Sequence, residues 1–342
     1  MRQFLRFLFS VAVLLGIGSL CTRQCAEVGV AFRGLHLRCV IDLRDADGPM
    51  HYPVGYQYEL LRDFAWAHLC HVDIALADGE ESPLDSLLGE RLDLVVRPAS
   101  DSLRPGCFAT RATADSSVWV VREAAVRKAL DGWLESFAST PEHQSLKSRF
   151  TPHYDPSRRL RSGRRPACLT PYDDLLHRYA VQLGWDWRRL AALVWQESQF
   201  HIEVQSRRGA GGLMQMMPST ALRYGSENVL DPEASVEAGT RYLARLQRMF
   251  EPYAEPSELP RFTLAAYNAG EGRILDCIRY AGHLGKEART WDDIVRIIPD
   301  MREESILQVD TVRLGIFKGQ ETLRYVASVD SLYRDFCLLS AQ

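Results

Sequence analysis

The sequence predicts an α+β multidomain protein, in which an α/β unit precedes an all-α one. Three observations predict it. Short apolar runs alternate with helical stretches between about residues 35 and 153. From residue 169 to the end, apolar residues fall at helical spacing and no strand pattern stands out. Between them, residues 154–168 form a basic joint with the segment Asp155-Pro156-Ser157-Arg158-Arg159-Leu160-Arg161-Ser162-Gly163-Arg164-Arg165-Pro166. Arginines, prolines and a glycine without apolar periodicity read as an exposed linker.

In the first unit, Leu37–Ile41, Val72–Leu76 and Leu92–Val96 read as strands, and Tyr58–Ala67 and Leu84–Leu88 as helices. Ser117–Val121 reads as a returning strand and Ala124–Phe137 as a closing helix. Alternation of this kind implies a parallel sheet with helices layered on it. In the second unit, Pro171–Leu183 is expected as a helix stopped by Gly184, and Asp186 as the cap of a helix through Ser198. Ser235–Met249 is a further helix, and Leu264–Tyr267 and Leu323–Asp335 lie on others.

The N-terminus carries Arg2 and Arg6 ahead of the uncharged run Phe7–Leu20, the pattern of a secretory signal. The run is short for a membrane span, which needs about 20 apolar residues. Cys21 follows directly, where a lipid-modified cysteine would stand, although Leu20 occupies the place where lipoprotein signals have a small residue. Residues 1–25 are therefore read as a signal peptide or a membrane or lipid anchor. The remaining cysteines contain no C-x-x-C pair, which disfavours zinc ribbons and thioredoxin-like redox motifs. With 41 basic and 44 acidic residues among 342, the net charge is −3, and no basic excess points to nucleic acid.

The chemistry gathers in the second unit. Trp187, Leu190, Leu193, Val194 and Glu197 share one helical stripe, so an apolar face ends in a carboxylate. Burial disfavours its charge, and so does the negative end of the helix dipole. Both raise the pKa toward what a general acid needs near neutrality. From this helix alone, a boundary glutamate turned to solvent is the competing reading. Next comes Ser206–Gln215, a glycine-rich turn read as leading into an apolar helix, with Met214 and Gln215 projecting into a groove. Leu264–Gly270 is a small-residue helix that ends in Tyr267, Asn268 and a glycine stop, and an aromatic hydroxyl beside an amide suits sugars.

Glu197-Ser198-x-Phe200, the run Ser206-x-x-Gly209-Ala210-x-Gly212-Leu213-Met214-Gln215 and Met217–Ala221 resemble the family 1 lytic transglycosylase signature. Asp231-Pro232 with Val236, Gly239, Tyr242 and Leu243, and then Ala266–Gly270, are similar to that family's later blocks. Trp291-Asp292-Asp293, followed by Phe317-x-Gly319-x-Glu321-x-x-x-Tyr325-Val326, resembles the membrane-bound lytic transglycosylase F subgroup. Gly55–Leu61 and Arg91–Val95 resemble landmarks of the periplasmic solute-binding-like domain that those proteins carry first, here with a reduced second lobe. Ile202, Val204 and Ser235 depart from the family's usual proline, alanine and asparagine.

The resemblance implies a lysozyme-like catalytic domain that cuts the MurNAc-β-1,4-GlcNAc bond of peptidoglycan and leaves 1,6-anhydromuramoyl ends, with Glu197 as both acid and base. It implies substrate binding by Ser198, Gly212, Leu213, Met214, Gln215, Tyr267, Asn268 and Tyr325. Ser198 would orient substrate or acid, Met214 and Gln215 would line the groove, and Tyr325 would close the site. It implies no cofactor and no metal, a place on the periplasmic side of the cell envelope, and a muropeptide or amino acid as the candidate effector of the first domain. Arg104 resembles the arginine with which such domains hold a ligand carboxylate. Two other readings stay open: a lysozyme-like hydrolase in which water replaces the C6 hydroxyl, and an inactive peptidoglycan or solute sensor. Glu203, Asp231 and Glu271 are further acids near the motifs, read as surface or capping residues.

Overall fold

The computed structural model describes residues 32–43, 54–77, 81–150 and 168–340. The N-terminal signal or anchor and most of the arginine-rich joint lie outside the described residues. The chain divides into two compact units, Met1–His153 and Tyr154–Gln342. Among the described residues no helix is long and apolar enough to cross a membrane.

The first unit holds a five-stranded sheet ordered β2-β1-β3-β5-β4. Its strands are β1 (His36–Ile41), β2 (His71–Leu76), β3 (Leu94–Pro98), β4 (Phe108–Ala109) and β5 (Ser117–Val121). β2, β1 and β3 run parallel, whereas β5 opposes β3 and β4 opposes β5. The expected parallel sheet is therefore mixed. A parallel return needs a long crossover, usually helical. Residues 99–116 contain no helix, and β4 and β5 turn back on each other instead. β3 starts at Leu94 rather than Leu92, because the Asp93 carboxylate accepts hydrogen bonds from the Arg38 backbone N–H and guanidinium at the strand's edge.

Helix α1 (Val54–His68) covers the sheet with Tyr56, Leu60, Leu61 and Phe64, all fully or almost fully buried beside Trp119. Gln57 on the same face bonds the Trp119 indole N–H and donates to the buried Asp115, which satisfies the polar groups of this core. Helices α2 (Pro83–Leu88), α3 (Ala124–Ala138) and α4 (Pro141–Arg149) complete the unit. Arg104 pairs with Asp85 on α2, so its guanidinium is already engaged by a carboxylate of its own chain.

The second unit is helical. Its elements are α5 (Asp173–Leu183), α6 (Trp187–Ser198), α7 (Pro218–Arg223), α8 (Pro232–Phe250), α9 (Leu259–Ala269), α10 (Glu271–His283), α11 (Trp291–Ile297) and α12 (Gln320–Ser340). α5 starts two residues later than expected. The Asp173 carboxylate holds the Leu169 and Thr170 N–H groups in a turn at 2.7 and 2.6 Å, and the helix begins only beyond it. Gly184 takes the left-handed conformation that ends α5, and Asp186 caps α6 by accepting from the Arg188 N–H at 3.0 Å.

α6 is the central helix: Leu190 to Val194 are each 0% exposed, so it is enclosed on every side through its middle. α12 packs along it in the opposite direction. Near the start of α6, Arg188 bonds Ser340 at 3.0 Å and Asp186 accepts from the Tyr333 hydroxyl at 3.2 Å. The far end of this pair brings Tyr325 to Glu197.

Candidate active site

Glu197 stands in the last turn of α6, and the chain then turns sharply away. Gln199 and Phe200 both adopt positive φ, 52° and 65°. Left-handed backbone at non-glycine residues is costly and gathers at functional sites. The carboxyl group is mostly shielded from water. Burial pushes its pKa up to about 7, against the smaller downward pull of the Tyr325 hydroxyl that donates to Oε1. Tyr325 is itself buried, and burial beside Glu197 holds its phenol well above the ordinary value. Tyr325 thus remains a neutral donor, and one carboxyl oxygen of Glu197 is fixed as an acceptor.

Tyr325 reaches this position because the segment leading into α12 is clamped. The Arg273 guanidinium donates to the carbonyls of Leu314, Gly315 and Ile316 at 2.7 to 3.1 Å. The buried Asp276 accepts from the Arg313 and Leu314 N–H groups at 3.1 and 2.7 Å. One turn before Tyr325, Thr322 donates to Asn268 Oδ1 at 2.9 Å, and this ties α12 to the end of α9. Among the described residues, no hydrogen bond holds the Asn268 amide nitrogen.

The glycine-rich segment does not lead straight into a helix. Gly211 forms antiparallel bridges with Gln205 and Met216, and helix begins only at Pro218. Gly212 lies at φ +72° against the Val229 carbonyl, where a Cβ would come within 1.9 Å of the oxygen. Glycine is required at that point. Leu213 and Met214 are 0% exposed, which corrects the expectation that Met214 projects into a groove. Its side chain packs on Gly239 of α8, where an added Cβ would meet Met214 Cε at 2.5 Å.

These two residues serve the site through their backbone. The Leu213 carbonyl accepts from the Ser198 hydroxyl at 2.9 Å, and the Met214 carbonyl from the Tyr267 hydroxyl at 2.6 Å. Ser198 is buried, so its hydroxyl anchors this segment beside Glu197 in place of orienting a sugar directly. Gln215 folds back to donate to the Val204 and Gly212 carbonyls at 2.7 and 3.0 Å, which fixes the turn. The Tyr267 phenol is raised well above its ordinary value by burial and then by the nearby Glu197.

Sequence reasoning missed several supports. Ser235 Oγ accepts from the Met214 N–H at 3.2 Å and so holds the segment from below. Tyr224 extends an aromatic row, with ring centroids 5.3 Å from Tyr242, which lies 5.5 Å from Tyr267. Nothing in the local pattern around Tyr224 or Thr322 marks them, because each matters through a partner distant in the chain. The other acids are engaged elsewhere. Asp231 caps α8 by accepting from the Ala234 N–H at 2.8 Å, and Glu203 pairs with His201 at 2.8 Å. Burial works to raise the Glu271 carboxyl, but its own backbone N–H, Arg245 and Tyr242 outweigh this and leave it lowered.

Residues 174–290 match the family model described as the transglycosylase SLT domain. The chain is similar to membrane-bound lytic murein transglycosylase F of Maricaulis maris, with 38% identity over 51% of this chain and 37% of that protein. The protein of the same name from Aeromonas hydrophila is 33% identical over 52% of this chain and 35% of its own length. The one from Stutzerimonas stutzeri is 29% identical over 64% and 46%. The chain therefore spans less than half the length of these curated relatives. Among solved structures, the 70 kDa soluble lytic transglycosylase SLT70 from Escherichia coli aligns with a TM-score of 0.36 and 25% identity, covering 63% of this chain and 31% of that one.

Proposed function

We propose that this chain is a peptidoglycan lytic transglycosylase that cleaves the MurNAc-β-1,4-GlcNAc bond and leaves 1,6-anhydromuramoyl ends. The observation that carries the reading is the Glu197 carboxyl, held near pKa 7 at the end of a buried helix with one oxygen fixed by Tyr325. A group with this pKa is protonated in a large share of molecules near neutrality, and can give a proton and take one back. The relatives' name, lytic murein transglycosylase, supports the substrate class.

In the proposed reaction, Glu197 protonates the glycosidic oxygen as the bond to the muramoyl C1 breaks, and the electron pair leaves on that oxygen. The carboxylate then accepts the proton of the muramoyl C6 hydroxyl as that oxygen attacks C1. The acid is regenerated and no water is consumed. One carboxyl suffices because the nucleophile is part of the substrate, whereas glycoside hydrolysis ordinarily uses two. The commitments of Glu203, Asp231 and Glu271 to other partners favour this single-acid scheme. Tyr267 and the amide nitrogen of Asn268 would meet the sugar, on a floor made by the backbone of 212–215.

The same reading places the protein on the periplasmic side of the envelope, associated with the membrane through its N-terminal segment. The first unit would be a reduced solute-binding-like domain with a regulatory or positioning role, and its candidate effector is a muropeptide or an amino acid. Mass spectrometry of digested sacculi tests the activity. Anhydromuropeptides, each one water lighter than the reducing-end form, are expected as the main products. A digest dominated by reducing ends would establish a hydrolase instead, and an inert digest would establish a non-catalytic binder.

A further inference from the structure

In the first unit, β1 and β2 are parallel neighbours in a register that pairs His36 with His71 and Arg38 with Asp73. Alternation along a strand sends every second side chain to the same face. Cys39 and Ile41 of β1 and Ile74 of β2 take the buried face, and His36, His71 and Asp73 are exposed on the other. The consequence is a convergence of ligand atoms. Asp73 Oδ2 lies 2.6 Å from His36 Nε2, and its Oδ1 lies 3.2 Å from His71 Nε2. The two imidazole rings meet edge to face at 4.5 Å between centroids. One ligand atom from each residue falls within 4.8 Å of the other two.

We infer that His36, His71 and Asp73 form a surface site for one divalent transition cation of the zinc class, with two imidazole nitrogens and one carboxylate oxygen as ligands. Zinc takes nitrogen at about 2.0–2.1 Å and oxygen at about 2.0–2.2 Å, so neighbouring ligand atoms around it stand about 3.3 Å apart. Small rotations of the exposed side chains bring the three atoms to that spacing, and the strand backbones stay where they are. Two imidazoles and a carboxylate select zinc, copper or nickel over magnesium and calcium, which prefer all-oxygen shells. Three protein ligands leave the remaining coordination positions to water or to an incoming donor.

Arg38 is the cross-strand partner of Asp73 on this face, and its guanidinium is engaged by Asp93 and the Glu90 carbonyl. Its three ligands belong to the first unit, and Glu197 belongs to the second. Without a metal, the same three side chains form a hydrogen-bonded His–Asp–His cluster. The experiment must separate these two states.

Calorimetric titration of the full chain with zinc chloride at pH 7.5 tests the inference, with His36→Ala and Asp73→Asn as variants and Cys70→Ser as a control for thiol binding next door. One zinc per chain is expected, weakened at least tenfold in each of the first two variants and unchanged in Cys70→Ser. X-ray absorption at the zinc edge should show a first shell of nitrogen and oxygen only. Equal zinc affinity in wild type and both variants, a sulfur-containing shell, or no binding would overturn the site. Circular dichroism of the variants shows whether the sheet is intact, which surface positions should leave undisturbed.

Discussion

Replacing Glu197 by glutamine should make the helical unit more stable as the pH rises, even as it abolishes the proposed chemistry. A free glutamate side chain titrates near 4.5, and burial moves this one to about 7. Below pH 4.5 the group is protonated in folded and unfolded chains alike and contributes no difference. Between 4.5 and about 7 only the unfolded chain releases the proton, so the wild type loses stability across that window. At about 1.4 kcal/mol per unit, the ceiling on the loss is about 3 kcal/mol above pH 7. Glutamine is near-isosteric, still accepts from Tyr325 and has no proton to lose. For a domain of this size, about 3 kcal/mol corresponds to roughly 5–10 °C in melting temperature. Thermal melts of both proteins from pH 4 to 8.5, followed at the helical unit's transition, should show a gap that opens between pH 4.5 and 7 in favour of the variant. A gap that stays constant with pH, or opens the other way, refutes the claim that the carboxyl is held neutral by burial.

Tyr325→Phe removes the one hydrogen bond that pulls the Glu197 pKa down. A bond to a charged group contributes about 1.5–3 kcal/mol. The alkaline limb of the pH–rate profile for murein cleavage should therefore move up by about 1–2 units at reduced rate, and an unmoved or acid-shifted limb would contradict the geometry. Gly212→Ala should cost at least about 3 kcal/mol, since it adds a clash with the Val229 carbonyl to a left-handed backbone. Gly209→Ala, left-handed but with nothing within 4 Å of the new Cβ, should cost only about 1–2 kcal/mol, and urea titration of the pair separates close approach from backbone conformation alone.

The sequence made the helical unit legible where pattern and punctuation agreed. Asp186, Gly184 and Gly270 stand at element boundaries in the structure, because caps and glycine stops act through their immediate neighbours. Glu197 was legible as the end of an apolar stripe. The role of Met214 was not, since an apolar residue in a glycine-rich turn carries no sign of whether it faces a cleft or packs on a glycine such as Gly239, distant in the chain. Strand direction was equally hidden. Ser117–Val121 has the same β-branched texture whichever way it runs, and only the helix-free connection before it turns β5 antiparallel. The clamp from helix α10 was hidden as well, because Arg273 and Asp276 act on a segment, about 40 residues further along the chain, that delivers Tyr325.

The hydroxyls of Ser198 and Tyr267 both end on carbonyls of adjacent residues, Leu213 and Met214. The two positions of each pair therefore answer to different physical demands. At 213 and 214 the structure asks for apolar bulk that fits its hole, and a replacement of similar volume and shape leaves the carbonyls in place. At 198 and 267 it asks for a donor of fixed reach, and no apolar neighbour of equal size supplies one. An apolar replacement of similar volume at 213 or 214 should therefore be milder than loss of the hydroxyl at 198 or 267.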